Sequence, residues 1–205
     1  MKLGAKCKYC RRFGQKVGFN ERCLSHKCAL SRRRTRPGMH GKKLRKLSLY
    51  GRQLLEKQRL KISYLINEKQ MKRYVEMAKK MNKPAPEALI EILERRLDNV
   101  VWRAGYIPNK TTARQLVSHG HFLVNGRRVK TPSYLVEPGD IIEIRPQSRD
   151  IQLFKDLSER TKNFIVPSWL KVDPNTFKTE VLKLPQYNEI PHNFNLGLVI
   201  DFYSR

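Results

Sequence analysis

Acidic side chains are almost missing from the first quarter of the sequence. Residues 1–52 contain Glu21 alone, against 17 Lys and Arg. No apolar run approaches the roughly 18 residues that a membrane-spanning helix needs. Cysteine is absent after residue 28, and no internal repeat or low-complexity segment occurs. A phosphate-cradling Gly loop ending in Lys-Ser/Thr is also missing, as is a credible nucleophile–base set. These absences argue against a membrane span, a repeat architecture and a nucleotide hydrolase. Met1-Lys2-Leu3-Gly4 is basic, but no apolar stretch follows it. The expectation is therefore that no secretory signal is present and that the chain stays in the compartment where it is made.

What the sequence has in excess is positive charge. The 205 residues carry 43 Lys+Arg and 18 Asp+Glu, a formal net charge of +25. Self-repulsion on that scale disfavours an isolated compact state, so a lasting polyanionic partner is expected. Nucleic acid is the main candidate and an anionic membrane surface the minor one. Residues 1–52 hold a net of +16, and the other 153 residues a net of +9. The first quarter reads as a basic arm or small module in which apolar and cysteine positions are interleaved. That interleaving favours RNA binding over a merely solvated tail.

The cysteines follow the pattern Cys7-x2-Cys10-x12-Cys23-x4-Cys28. Two residues between ligands form a tight knuckle, and the second pair closes a loop of about a dozen residues, a spacing used by structural zinc. Nearby cations favour the thiolate that such a site requires. Four sulfurs close the site, so its expected role is structural. An iron–sulfur cluster uses the same ligands, disulfides and free thiols are further alternatives, and His26 could replace one sulfur.

Along the chain, the segment from Ser31 to Lys43 holds six Arg or Lys with Pro37, Gly38 and Gly41, and it reads as extended chain that orders on RNA by phosphate contact. Residues 48–82 read as one long helix or two. A further helix is expected from about Glu87 to Ala104, with Leu89, Leu93, Leu97, Val100 and Ala104 as its apolar stripe and Gly105 as terminator. A short helix ending at Gly120 follows, with Thr112 and Gln115 at capping-box spacing. The period then changes. Residues 121–129 read as a hairpin on Asn125-Gly126, and residues 134–136 and 141–145 as two more strands. Residues 147–205 offer only scattered apolar anchors between prolines.

The middle of the chain carries an ordered set of motifs: Arg96-Leu97-Asp98-Asn99-Val100-Val101, Ala113-Arg114-Gln115-Leu116-Val117-Ser118-His119-Gly120-His121, Val124-Asn125-Gly126, Pro132-Ser133-Tyr134 and Pro138-Gly139-Asp140-Ile141-Ile142. This resembles the RNA-binding domain named after small-subunit ribosomal protein four. The flanks Leu49–Gln58, Glu68-Lys69-Gln70 and Ile200–Arg205 resemble the helical domain of that ribosomal family, and the cysteine arm resembles its zinc-binding variant. Lys110, Leu65 and Met71 depart from the family's usual Arg, Gly and Phe.

The resemblance implies an α+β fold: a mainly helical domain with an inserted small helix-helix-β RNA-binding domain, plus a basic zinc-binding N-terminal arm. The expected boundaries are 1–47 for the arm, 48–94 for the helical domain, completed by 170–205, and 95–169 for the RNA-binding domain with its following segment. It implies a structural constituent of the cytoplasmic small ribosomal subunit and not an enzyme. Such a protein would bind the five-prime domain of small-subunit rRNA early in assembly and touch neighbouring small-subunit protein five. It would lie near the messenger-RNA entry path and affect decoding accuracy. No membrane partner and no homo-oligomer are expected. Zinc would sit on Cys7, Cys10, Cys23 and Cys28. Expected RNA contacts are Arg32, Arg33, Arg34, Arg36, Lys42 and Lys43 in the arm and Tyr50, Gln53 and Lys57 in the helical segment. In the compact domain they are Arg96, Asn109, Lys110, Thr111, Arg114, Gln115, His119, His121, Asn125, Arg127, Arg128 and Lys130.

Two other functions share this domain. A pseudouridine synthase would use an Asp after Arg-Leu, as in Arg96-Leu97-Asp98, although no second domain of catalytic size remains. A free RNA chaperone of stalled ribosomes would lack the helical domain and the cysteine arm.

Overall fold

Apolar residues at helical spacing build helices here, but backbone hydrogen bonds decide where each one stops. The computed structural model describes residues 6–17, 26–42, 46–155, 165–173, 175–190 and 193–204; Cys23 and Lys43 lie outside that set. The chain forms two compact units, Met1–Pro86 with His192–Arg205, and Glu87–Pro191.

In the first unit, α1 (Lys6–Phe13) and the single turn α2 (Ala29–Arg32) precede α3 (Leu49–Ser63) and α4 (Glu68–Lys79). The 48–82 stretch is thus two helices. Each opens on a side-chain cap: Ser48 Oγ accepts the Gly51 N–H and Asn67 Oδ1 accepts the Gln70 N–H. Between them Leu65 takes φ 54°, a left-handed conformation that a leucine adopts only under compulsion. The compulsion is packing, since Leu65 is buried in one cluster with Phe13 and Ile62. That cluster ties the cysteine-bearing helix α1 to α3, so the arm and the helical segment belong to one body.

The last helix, α9 (Leu196–Phe202), packs along α3. Glu68 fastens the end of the chain. It accepts from Lys57 Nζ at 2.7 Å, Lys61 Nζ at 2.9 Å and the Tyr203 hydroxyl at 2.6 Å. Burial pushes the Glu68 carboxyl up, but these donors outweigh it and hold it down at about 2.

In the second unit, α5 (Ala85–Glu94) and α6 (Leu97–Arg103) replace the single helix expected over 87–104. Arg96 is extended and bridges Leu135, the Leu97 N–H donates to the Tyr134 carbonyl, and the Val136 N–H donates to the Arg95 carbonyl. Pairing with a distant segment therefore overrides helix propagation at Arg95–Arg96. Residues 134–136 make only that bridge and no strand. Then come α7 (Lys110–His119), β1 (Phe122–Val124), β2 (Arg127–Arg128), β3 (Ile141–Ile144), the short α8 (Gln152–Lys155), β4 (Leu170–Asp173) and β5 (Lys178–Val181).

The sheet runs β2-β1-β3-β5-β4 and is antiparallel throughout. Its core joins Val100, Tyr106, Val117, Phe122, Ile142, Phe154, Trp169 and Val181. Thr179 Oγ1 donates to the Tyr106 hydroxyl inside that core at 2.8 Å. The 147–205 stretch, expected to be irregular, thus supplies two strands to this sheet. By packing, His192–Arg205 joins the helical unit while β4 and β5 join the sheet, and the first residues of α5 pack with the helical unit up to Pro86.

Candidate nucleic-acid interface

The α7 entrance is built on Asn109. Its Oδ1 accepts the Thr112 N–H at 3.0 Å and the hydroxyls of Thr111 and Thr112 at 2.9 and 2.7 Å. Asn109 is thus the helix cap, in place of the expected Thr112–Gln115 box, and both threonine protons turn inward. The first turn of α7 remains the positive end of a helix dipole. Lys110 Nζ lies 4.4 Å from the Trp102 ring centroid, with the Arg103 guanidinium 4.7 Å from the same ring. Burial pushes the Lys110 ammonium down to about 8; Glu94 opposes that shift and Arg103 adds to it. Gln115 projects from α7 into solvent.

The other end of α7 is closed by a cation. Gly120 takes φ 75°, and Arg128 donates through Nε to the Gly120 carbonyl at 3.1 Å and through Nη2 to the His119 carbonyl at 2.9 Å. A Cβ at position 120 would collide with that guanidinium, so glycine serves both the backbone turn and the close approach. The His119 and His121 rings lie 6.2 Å apart and within 20° of parallel, and His121 Nδ1 meets Ser148 Oγ at 2.9 Å. Burial, then the neighbouring His119, lowers the His121 pKa below its ordinary value. Arg127 and Lys130 are exposed and make no ion pair among the described residues.

Several expected contacts belong to the interior instead. Arg96 has no exposure and grips Asp98 twice, Nε to Oδ1 at 3.1 Å and Nη2 to Oδ2 at 2.7 Å; Arg114 Nη1 adds a bond to Oδ2 at 3.0 Å. Asp98, 5% exposed, is thus committed to two guanidinium groups. Lys57, 5% exposed, is committed to Glu68 and lies 4.3 Å from the Phe202 ring centroid. Gln53 is 3% exposed, with no hydrogen-bond partner for its Oε1 among the described residues. Asn125, at φ 51°, stitches the hairpin to Asp140 and Ile141. These assignments place Gln53, Lys57 and Arg96 in packing, because long polar side chains in a motif satisfy buried partners as readily as they meet a ligand, whereas Asn125 is exposed and holds the turn.

The arm is different. Arg32, Arg33, Arg34, Arg36 and Lys42 are all exposed, and no acid pairs with them among the described residues. Tyr50 is half-exposed, its ring 5.7 Å from that of Phe202. Arg11, which spacing arguments do not single out, donates through Nε to the Thr35 carbonyl at 3.0 Å and pins the basic segment to α1. The only signal for it is its place beside Cys10 in the basic quarter.

Cys7, Cys10 and Cys28 are free thiols, Cys10 and Cys28 buried. The Val17 N–H donates to Cys10 Sγ at 3.4 Å. Among the described residues no three His, Cys, Asp or Glu converge at metal-ligand range, and Cys23 lies outside those residues. As a donor set, three described sulfurs close to cationic side chains suit a thiophilic ion.

Comparison with known proteins places the division at 94/95, the boundary expected from the sequence. A family model described as the ribosomal protein S4/S9 N-terminal domain matches residues 2–94, and one described as the S4 domain matches residues 95–142. The chain is 47% identical over 204 residues to small ribosomal subunit protein uS4 of Thermotoga petrophila, with 98% of each chain covered. It is 46% identical over 204 residues to the Thermotoga maritima protein of the same name and 44% over 203 residues to that of Halothermothrix orenii, again with 98% of each covered.

Proposed function

Because the chain belongs to the ribosomal protein S4 family, we propose that it is a structural constituent of the small ribosomal subunit that holds ribosomal RNA. The observation that carries this reading is the run of exposed, acid-free cations from Arg32 to Lys42, pinned to α1 by Arg11. Such cations neutralise phosphates and release counterions. The second unit adds the α7 entrance, the exposed Gln115 and His119, and the hairpin cations Arg127 and Lys130. A duplex groove displays phosphates and 2′-hydroxyls more than base edges, so the RNA is recognised by shape.

At finer grain, the target is the five-prime domain of small-subunit rRNA, bound early enough to nucleate assembly. The bound protein neighbours small-subunit protein five and the messenger-RNA entry path, and thereby influences decoding accuracy. It acts in the cytoplasm and catalyses no reaction; the commitment of Asp98 to Arg96 and Arg114 supports that. Cys7, Cys10, Cys23 and Cys28 hold structural zinc, a role supported by their spacing and by the burial of Cys10 and Cys28. Elemental analysis of native protein tests this: one zinc per chain is expected, and metal-free folded protein contradicts it.

The RNA assignment is tested by binding of the full chain to a transcript of the five-prime domain and to an equally long transcript of the three-prime region, in the same salt. Preference for the five-prime domain by tenfold or more is expected. Equal affinity overturns the finer assignment, and failure to bind either at low salt overturns the RNA reading altogether.

A further inference from the structure

Between α1 and the basic segment of the first unit lies a cleft of about 340 Å³. Phe13 and Leu55 line it with apolar surface, and Arg12, Arg34, Arg36 and Lys42 surround them with positive charge. We propose that this cleft receives a single unpaired nucleotide, its phosphate held by the four cations and its base laid on Phe13 and Leu55.

Three observations support it. The chemistry is two-sided: a bare phosphate leaves the apolar floor unused, whereas an acyl chain leaves the cations unanswered. Guanidinium planes and an aromatic ring are the surfaces on which unpaired bases stack. The volume stands at the small end of ligand sites, which run from roughly 300 to 1,000 Å³, and so fits one nucleotide and no duplex.

The cleft is also built before any ligand arrives. Arg11 donates to the Thr35 carbonyl at 3.0 Å and to the Arg36 carbonyl at 3.4 Å. Gly41 lies so close to the Arg36 carbonyl that a Cβ there would collide with it. Phe13 and Leu55 are anchored in the cluster of Ile62 and Leu65. Walls fixed in this way reduce the ordering cost of binding.

The inference rests on RNA being the partner and adds what the arm reads: a nucleotide that is out of the stack. The test uses the full chain and two RNA hairpins that differ only by one bulged nucleotide, with the five-prime-domain transcript measured in parallel. Two charge-neutral variants perturb the cleft differently: Leu55→Trp fills it, and Gly41→Ala forces the 36–41 turn away from it. Circular dichroism and thermal melting check that each remains folded. The wild type is expected to prefer the bulged hairpin by about tenfold. Each folded variant is expected to lose that preference while keeping its affinity for the paired hairpin and its salt dependence.

Adenosine 5′-monophosphate is the competitor that separates the two sources of a nucleotide. Displacement of the bulged hairpin alone makes free nucleotide a second occupant, and retained preference without displacement restricts the occupant to RNA. Both results support the cleft. Equal affinity of the wild type for the two hairpins overturns it, as does an unchanged preference in folded Leu55→Trp and Gly41→Ala. If the five-prime-domain transcript still binds, only the cleft has failed; if it does not, the RNA reading has failed as well.

Discussion

The two units are close in size and far apart in charge. Residues 1–86 with 192–205 carry 27 Lys and Arg against 5 Asp and Glu, a net of +22, whereas residues 87–191 carry 16 against 13, a net of +3. The domain that gives RNA-binding proteins their motif is thus the nearly neutral one. Six of its cations are answered from within: Arg96 and Arg114 by Asp98, Arg103 by Glu94, Arg95 by Glu91 and Glu137, Lys178 by Glu143 and Lys183 by Glu189. The first unit pairs Lys57 and Lys61 with Glu68 and Arg59 with Glu56, but leaves Arg32, Arg33, Arg34, Arg36 and Lys42 in solvent. Affinity that salt can screen therefore resides in the first unit, and the second supplies shape, held rigid by its own ion pairs.

The comparison breaks first at Asp98. Replacing it with Ala leaves Arg96 buried without its partner, a loss of about 3–5 kcal/mol. Chemical denaturation should show the second unit unfolding at lower denaturant, and an unchanged midpoint would mean that the pairing is ornamental. Next comes salt. Changing Arg33, Arg34, Arg36 and Lys42 together to Gln should flatten the dependence of log affinity on log salt by roughly three to four, whereas Arg127 and Lys130 to Gln should flatten it by about two. Equal slopes from the two sets would erase the distinction between the units.

A smaller effect is expected at Leu65→Gly. It relieves the left-handed backbone by about 1 kcal/mol but removes a buried side chain worth about 2–5 kcal/mol, so the melt should fall by a net of about 2 kcal/mol. A rise would show that backbone strain dominates. The smallest effect concerns Lys110. The unfolded chain holds its proton up to the ordinary 10.5 and the folded chain only to about 8, so this group makes stability increase as pH rises between those values. Lys110→Gln should remove of order 1 kcal/mol of that pH dependence, read from melts at pH 7.5 and 10.

Much of the fold is legible in the sequence, and what is not has local causes. The Asn125-Gly126 turn, the apolar stripe of Leu89, Leu93, Leu97, Val100 and Ala104, and the end of α7 at Gly120 follow from turn chemistry and periodicity. The α5–α6 break does not, because the stripe continues straight through it and only Leu135, forty residues on, reveals it. Strands β4 and β5 escape notice because each has four residues, near prolines. Leu65 was visible as a departure from the family's usual Gly, and its positive φ explains why Gly is usual there. At the site, exposure separates Arg34, Arg36, Arg127 and Lys130 from Gln53, Lys57 and Arg96, and residue type cannot encode that difference. Arg96 and Arg127 look alike in a string; one faces a buried carboxylate and the other faces water.

The most direct test of the whole account is fractionation of native ribosomes on a sucrose gradient with quantitative mass spectrometry of each fraction. One copy of the chain in every small subunit, retained through a moderate-salt wash, is the predicted result. A chain found mainly free, or bound loosely to large subunits, would contradict it.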